Sequence, residues 1–516
     1  MTIFHLLKQV LRMVEIDRQN ALASLAAIVA ILAIGRVFRK WNEKPVVSEY
    51  ERHNLPVTPQ LRTLALGSGE YQYARLGLEQ QGAYRIYLIA TVTGKRVSAE
   101  KLAFAAECIQ RRHPMLRCRL VKVNGTIALQ EDPDLKLQTR IRPRIDAETC
   151  RETFHKEAAK DTVQVGEEAP SPHKLWLFQS EKPDPSEIEQ SEIVLDLSHF
   201  AVDGSGLSPL MHEVLYYVLD PEAKLPEYGN WPVSQDFGLR EVLATKMNAL
   251  QRVFLKVFGF MRLIYYVTTR EDISLADPHD TIPVKNLGKL NDTICLCQKF
   301  NESETEAFIA RCKEHKVSVT AAATAVYLET AAELKYQELK RKFSIYASLV
   351  ADSRKFATPA TPATDLAPHV YVLPPFWTQE VEWVEKDDTS RTWTMAGEVK
   401  EFLRNYLSQP KEPIAYADMI GFFLSLQPAK PNSPVVNVSS WSAQSPVQKE
   451  YAGTRVEGVE LFQNMACTSH VNLSLYTFVN KLNMSIFVAT PRFRKDVIEE
   501  LNRKVGEKLR RMIAGN

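Results

Sequence analysis

A mixed α/β protein built in two lobes is what this sequence of 516 residues predicts. The first reason is a strand that turns into a helix: Ile193, Val194, Leu195 and Leu197 form an apolar run of strand length. From Leu207 onward, Leu210, Met211, Val214, Leu215 and Val218 recur at helical spacing. The second is the same alternation elsewhere, with strands at 85–92, 344–350 and 435–441 set among helices that open at Ser98 and near Ser303. The third is a proline-rich break, Asp220 to Asp236, suited to a boundary between two halves. At 45% hydrophobic and 24% charged, the chain is globular and long enough for two or three cores.

Taken in order, the first distinctive region is apolar. Ala21 to Phe38 is free of charge as far as Gly35, a borderline length for a membrane span. Lys8 and Arg12 precede it in a stretch able to lie on a membrane surface, and Arg36, Arg39, Lys40 and Lys44 follow it. That positive excess predicts that the rest of the chain faces the cytosol, at the endoplasmic reticulum or a similar membrane. A buried pair of helices is the alternative. Beyond this leader, residues 1–45, Arg85 to Val92 reads as a strand. Ser98 caps a helix with Leu102, Ala105, Ala106 and Ile109 on one face, and Pro114 stops it within Arg111-Arg-His-Pro-Met-Leu-Arg117. His113 there is a helix-end histidine with no assigned chemistry. Leu116 to Val121 alternates as a strand, and Ala169 to Pro185, rich in Pro, Ser and charge, reads as a surface connection.

After the break, Leu239 to Tyr266 is a long helical stretch for a lobe interface or a membrane surface. Ser303 to Glu306 is a capping box, and a small-residue helix opens at Val317. Ser344 to Val350 is a strand leading to Ala351-Asp-Ser-Arg354, and Phe356 to Pro375 is a proline-rich loop. Val435 to Trp441 is a strand, His470 to Val479 and Leu482 to Val488 form a hairpin turning at Asn480-Lys481, and an amphipathic helix from Arg494 to Ile513 closes the chain.

Charge and cysteine usage narrow the chemistry. Lys+Arg 64 against Asp+Glu 62 gives a net charge of +2, with no basic field for nucleic acid. Seven cysteines without a CxxC pair fit reduced thiols, not a disulfide framework or a zinc site. The candidate centre is His199-Phe-Ala-Val-Asp203-Gly204, where a buried strand ends in an imidazole before a tight glycine turn. Such a histidine is a candidate general base.

His199-x-x-x-Asp203-Gly204, the upstream Arg111 to Arg117 segment, and the closing hairpin and helix together resemble the chloramphenicol-acetyltransferase-like superfamily. Alcohol acyltransferases, plant BAHD acyltransferases and peptide-synthetase condensation domains belong to it. The resemblance runs from about residue 60 to the C-terminus. It implies an α/β sandwich of two lobes, residues 46–230 and 231–516, with an interface tunnel and a membrane-associated helical leader ahead of them. It further implies transfer of an acyl group from acyl-CoA to a small-molecule alcohol or amine. His199 would be the base, with no acyl-enzyme, no bound cofactor and no metal, in a monomer. Asp203, beside Gly204, would pair with Arg354 and hold the loop, the alternative being that Asp203 only caps the helix behind it. Ser439 and Ser440 would line the tunnel or assist an oxyanion.

The sequence also departs from parts of that superfamily. Ser198 stands where condensation domains carry a second histidine. The Asp-Phe-Gly-Trp-Gly signature of BAHD enzymes is absent near the end, and Asp236-Phe-Gly238 lies in the wrong half. Two other readings remain: a condensation-type enzyme with its donor on a carrier protein, and a ligand-binding member without catalysis.

Overall fold

The computed structural model describes residues 52, 55–80, 82–158, 163–181, 188–232, 293–335, 346–354, 361–362, 364–372, 376–377, 389–408, 436–440, 446–465, 471–489 and 493–515. The apolar leader and the helix expected over 239–266 lie outside them. The described residues belong to one compact unit, Val47–Asn516, and among them no helix is long and apolar enough to cross a membrane.

The first half runs β1 (Arg62–Ala65), α1 (Ser68–Glu79), β2 (Arg85–Gly94), α2 (Ala99–Arg112), β3 (Cys118–Val123), β4 (Thr126–Glu131), β5 (Gln138–Pro143), α3 (Ala147–Ala158), β6 (Lys174–Gln179), β7 (Glu189–Ser198) and α4 (Gly204–Leu219). The second runs β8 (Thr293–Lys299), α5 (Glu302–Glu314), α6 (Val319–Lys335), β9 (Tyr346–Asp352), β10 (Val370–Val372), β11 (Phe376–Trp377), α7 (Ser390–Ser408) and β12 (Val436–Ser440). It then continues through β13 (Glu450–Tyr451), β14 (Thr454–Gln463), β15 (Val471–Phe478), β16 (Lys481–Ala489) and α8 (Lys495–Ala514).

Among the described residues these strands form three sheets. One has the order β13-β14-β2-β7-β6-β5, the second β10-β9-β12-β15-β16-β8 with β11 beside β9, and the third is the small set β1-β4-β3. In the first, β7 lies antiparallel between β2 and β6, so its ladder is bonded on both edges and its side chains from Ser191 to Ser198 are all buried. That is why its sequence is an apolar run instead of a clean alternation. Helix α2 begins on the Ser98 hydroxyl, which accepts from Lys101 N at 3.2 Å. It buries Leu102, Ala105, Ala106 and Ile109 and packs on α4.

The first sheet is completed by the far end of the chain. Strands β13 and β14 follow β12 in sequence, yet β14 pairs with β2 along nearly its whole length. In the second sheet β9, β12 and β15 run parallel, and the β15-β16 hairpin adds antiparallel strands out to β8. Leu349, Val438, Leu473 and Ile486 on this sheet share one buried cluster with α6 and α8.

Four expectations need correction. Residues 169–185 do not form a surface connection throughout: Lys174–Gln179 is β6, buried at every position. Average composition hid the run Leu175-Trp-Leu-Phe178. The capping box of α5 is Asn301 with Glu304, two residues before the expected Ser303, because β8 ends at Lys299 and Phe300 is buried immediately after it. The β15-β16 hairpin turns on Val479-Asn480, with φ of 47° and 61°, one residue earlier than read. Two positive φ values match the tight turn that follows the strand twist. Finally, the proline-rich stretch after Lys355 is not loop throughout, since Val370–Val372 pairs with β9.

Candidate active site

His199 follows directly on β7, and its placement begins with the backbone. Its N–H donates to Tyr84 O at 2.8 Å, extending the β2-β7 ladder by one bond. Tyr84 N in turn donates to Asn464 O at 2.9 Å, just past β14. Tyr84 therefore bridges the strands on either side of β2, and it does so at a φ of 55°, a conformation uncommon for a residue with a Cβ. Deeper in the same strands, Asp196 accepts from Arg85 Nε at 2.7 Å and from Trp176 Nε1 at 3.2 Å, all three buried. A buried charge so paired fixes the register of β7 against β2 and β6.

The imidazole is half-buried and lies face to face with Tyr73 of α1, with ring centroids 4.0 Å apart and planes within 4°. Tyr84 leans on Tyr73 at 5.2 Å and on His199 at 6.2 Å. Burial lowers the His199 pKa below its ordinary value, a shift partly offset by nearby carbonyls and by Asp203. The ring is therefore neutral near pH 7, with a lone pair available. The carbonyls of His199 itself and of Val202 are the hydrogen-bonding groups that act on the ring.

Asp203 serves as the N-cap of α4, accepting from Gly206 N at 2.9 Å. The same carboxylate takes both forks of Arg354, at 2.7 and 3.0 Å, and the His369 N–H at 2.8 Å. Pairing and capping were alternatives in the sequence; the structure contains both. Four donors occupy the four acceptor sites of a carboxylate, so Asp203 has none left for His199 Nδ1. The Asp203 carboxylate therefore does not orient the imidazole. Arg354 packs closely beside Gly206, where a Cβ would lie 3.3 Å from Leu366 and from Val202, a tight fit, and 3.5 Å from Arg354 Nη2, an ordinary contact. Its Nη2 also donates to Asp365 O at 3.0 Å, tying the segment after Thr361 to α4.

Gly204 forms the first residue of α4 and is half-buried. Ser439 and Ser440 lie at the end of β12, Ser439 half-buried opposite Ser474 of β15, and Ser440 exposed with its hydroxyl 2.8 Å from Thr320 Oγ1. No hydrogen bond joins either serine to His199 among the described residues. His113 sits 2.9 Å from Glu213 Oε2 and links the end of α2 to α4.

Sequence reasoning missed Tyr73, Tyr84 and His369. His369 is fully buried, with neither ring nitrogen partnered among the described residues, and burial, followed by Arg354, pushes its pKa down to about 3. Nothing local marks these residues, since each acts through a contact distant in sequence. Only the glycine-rich turn could have drawn attention to Gly206.

No protein-family model matches the sequence, and no curated protein does. Solved structures do match. A trichothecene 15-O-acetyltransferase from Fusarium sporotrichioides aligns over 91% of this chain and 100% of its own, at 13% identity and a TM-score of 0.68. The condensation domain of a monacolin K polyketide synthase covers 89% and 99%, at 14% identity and 0.64. The epimerization domain of the third module of tyrocidine synthetase B covers 89% and 98%, at 11% and 0.63. At such identities the likeness is one of fold.

Proposed function

We propose that this chain, whose fold is the chloramphenicol-acetyltransferase-like fold of those neighbours, is an acyltransferase that uses His199 as a general base. The observation that carries the reading is His199 itself: a neutral imidazole on the rigid end of a doubly bonded strand, beside a glycine turn locked by Asp203 and Arg354. An acceptor hydroxyl or amine gives up its proton to the imidazole as its oxygen or nitrogen attacks the thioester carbonyl of the donor. The carbonyl carbon gains the new bond, the carbon–sulfur bond breaks, and the proton leaves with the thiolate. No acyl-enzyme is formed.

The donor in this reading is acyl-CoA and the acceptor a small alcohol or amine, with the two meeting in a tunnel between lobes 46–230 and 231–516. Ser439 and Ser440 lie at the end of a strand of the second sheet, where a hydroxyl would assist the oxyanion. The enzyme works as a monomer on the cytosolic side of a membrane that residues 1–45 contact. The second reading is a donor on a separate carrier protein, favoured by the likeness to condensation and epimerization domains.

Incubating the full chain with a panel of acyl-CoAs and mixed alcohols and amines, and measuring free thiol and product mass, tests the reading. Thiol release that needs acceptor, and falls about 10²–10⁴-fold in His199→Ala, is expected. Near-normal turnover in that variant would end the general-base mechanism, and release only from acyl-carrier protein would select the second reading.

A further inference from the structure

Three separate stretches of chain meet around a cavity of about 260 Å³ that His199 does not line: the end of α2 from Arg112 to Met115, the segment after α4 with Gly229 and Pro232, and the segment that carries Asp365 and Leu366. Each stretch is held by bonds of its own. Gly229 N donates to Arg111 O at 3.1 Å, and the chain passes so close to α2 that a Cβ at Gly229 would lie 1.7 Å from Arg112 O. Beside it the Tyr228 ring lies 4.2 Å from the Arg111 guanidinium. Asp365 N donates to Pro362 O at 3.1 Å, and Asp365 O accepts from Arg354 Nη2 at 3.0 Å. The cavity is therefore preformed, and its size is just below the roughly 300–1,000 Å³ of sites for drug-sized ligands.

The charged groups around it are unequally matched. Arg112 Nη2 pairs with Glu213 Oε1 at 3.3 Å, and His113 Nε2 lies 2.9 Å from Glu213 Oε2, so Glu213 has its partners. Arg354 pairs with Asp203 and Asp352. The Asp365 carboxyl is different: it takes no hydrogen bond from a described residue, and Arg354 and His113 act on it only at a distance. Burial raises its pKa to about 6, so it is ionised at pH 7 without a counter-ion of its own. Pro114, Met115 and Leu366 supply an apolar part of the lining.

We propose that this cavity is a binding site for a small organic ammonium ion, an alkylamine of a few carbons in its protonated form, which donates to the Asp365 carboxylate and lays its carbon chain against Pro114, Met115 and Leu366. The site goes beyond the acyl-transfer reading and does not depend on it. A partly buried carboxylate with no donor is costly, and a cation with N–H groups meets both needs, charge and hydrogen bonds. An anion is disfavoured, because Glu213 already takes Arg112 and Asp365 would repel it. A divalent metal ion needs several oxygen ligands, and among the described residues no group of three His, Cys, Asp or Glu gathers anywhere. The apolar walls favour an alkyl chain over ammonium itself, since each buried methylene adds to affinity.

Ligand-observed NMR on the full chain with n-butylammonium chloride tests this. Saturable binding with a Kd on the order of 1 mM is expected at pH 7.5. The amine keeps its proton down to pH 5, whereas a carboxyl of pKa about 6 is then only about one-tenth ionised, so binding should weaken about 10-fold. Asp365→Asn should weaken binding at pH 7.5 at least about 10-fold and remove its pH dependence. Should that variant fail to fold, Thr364→Lys, at an exposed position on the cavity wall, sets a cation beside the site and should weaken binding likewise. Neutral n-butanol and anionic butyrate should bind at least about 10-fold more weakly than the amine. His199→Ala should bind the amine as the parent does. Binding that survives both Asp365→Asn and Thr364→Lys, equal binding of butanol or butyrate, or loss of binding in His199→Ala, which would place the amine at the catalytic histidine, would overturn the proposal. None of these readouts uses turnover, so failure of the acyl-transfer reading would appear separately, as unchanged turnover in His199→Ala.

Discussion

At the scale of single residues, the interaction that decides the loop geometry is Asp203 with Arg354, 151 residues apart and both nearly excluded from solvent. A buried pair gains less than its Coulomb attraction suggests, because both ions lose their water; removing one partner is what costs, at about 3–5 kcal/mol. Asp203→Asn keeps the cap on Gly206 N but turns an amide toward donors, either Arg354 or the His369 N–H. Arg354→Gln leaves the carboxylate with two backbone donors and no cation. Each single change should therefore impair activity and stability strongly, while the double variant costs far less than the sum, a coupling of about 1–3 kcal/mol in denaturation. Additive effects would mean that the carboxylate serves the helix alone. His199, Asp203 and Arg354 were legible because the chemistry of a histidine at a strand end and the ends of two strands are local signals. Tyr73 and His369 were not, because a stacking face or a backbone N–H aimed at a distant carboxylate leaves no mark on neighbouring residues.

At the scale of elements, periodicity identified the strands that are buried on both faces and the helices with one apolar side. It failed where composition was averaged over too long a window, as at β6, where Leu175-Trp-Leu-Phe178 lies between polar flanks. Strand β14 was missed for a different reason. Its alternation is broken by a bulge between Val456 and Gly458, so the period of two slips in mid-strand. Turn chemistry explains the hairpin error. Asn480-Lys481 is the better turn sequence, yet the register pairs Phe478 with Lys481 and leaves Val479 and Asn480 as the turn. The β-branched Val479 then adopts a φ of 47°, against its own preference. Val479→Asn should relieve this and raise stability by about 1 kcal/mol in urea titrations, with the turnover of the parent. An unchanged or lower midpoint would show that Val479 contributes packing worth as much as the strain.

At the scale of the whole molecule, the chain returns on itself. Val456 and Leu461 from β14 and Phe487 from β16 lie in the same buried cluster as β2 and β7, and Arg354 and the His369 N–H reach Asp203 at the head of α4. The first sheet therefore cannot be completed before the C-terminal strands are made, an order of folding with long closures. This assembly buries histidines in neutral form. His173 and His369 both have pKa values pushed down to about 3, first by burial and then by Arg85 and Arg354 respectively. The unfolded chain takes up a proton at each near pH 6.5, whereas the folded chain does not until about pH 3. The unfolded state thus binds more protons between those values, so stability is full above about pH 6.5 and is lost as pH falls. Each histidine contributes about 1.4 kcal/mol per pH unit to the slope. His199 acts with the same sign. Asp365 opposes it, since burial raises its pKa to about 6 and the folded state then holds a proton that the unfolded chain releases down to 3.8. Over pH 6 to 4 the two histidines outweigh that carboxyl. Urea unfolding across this range should show stability falling with acid, and His369→Phe, which removes one neutral imidazole with unpartnered nitrogens, should make the slope shallower by about 1.4 kcal/mol per pH unit. Parallel slopes for parent and variant would mean that His369 takes up its proton in the folded protein as readily as in the unfolded chain.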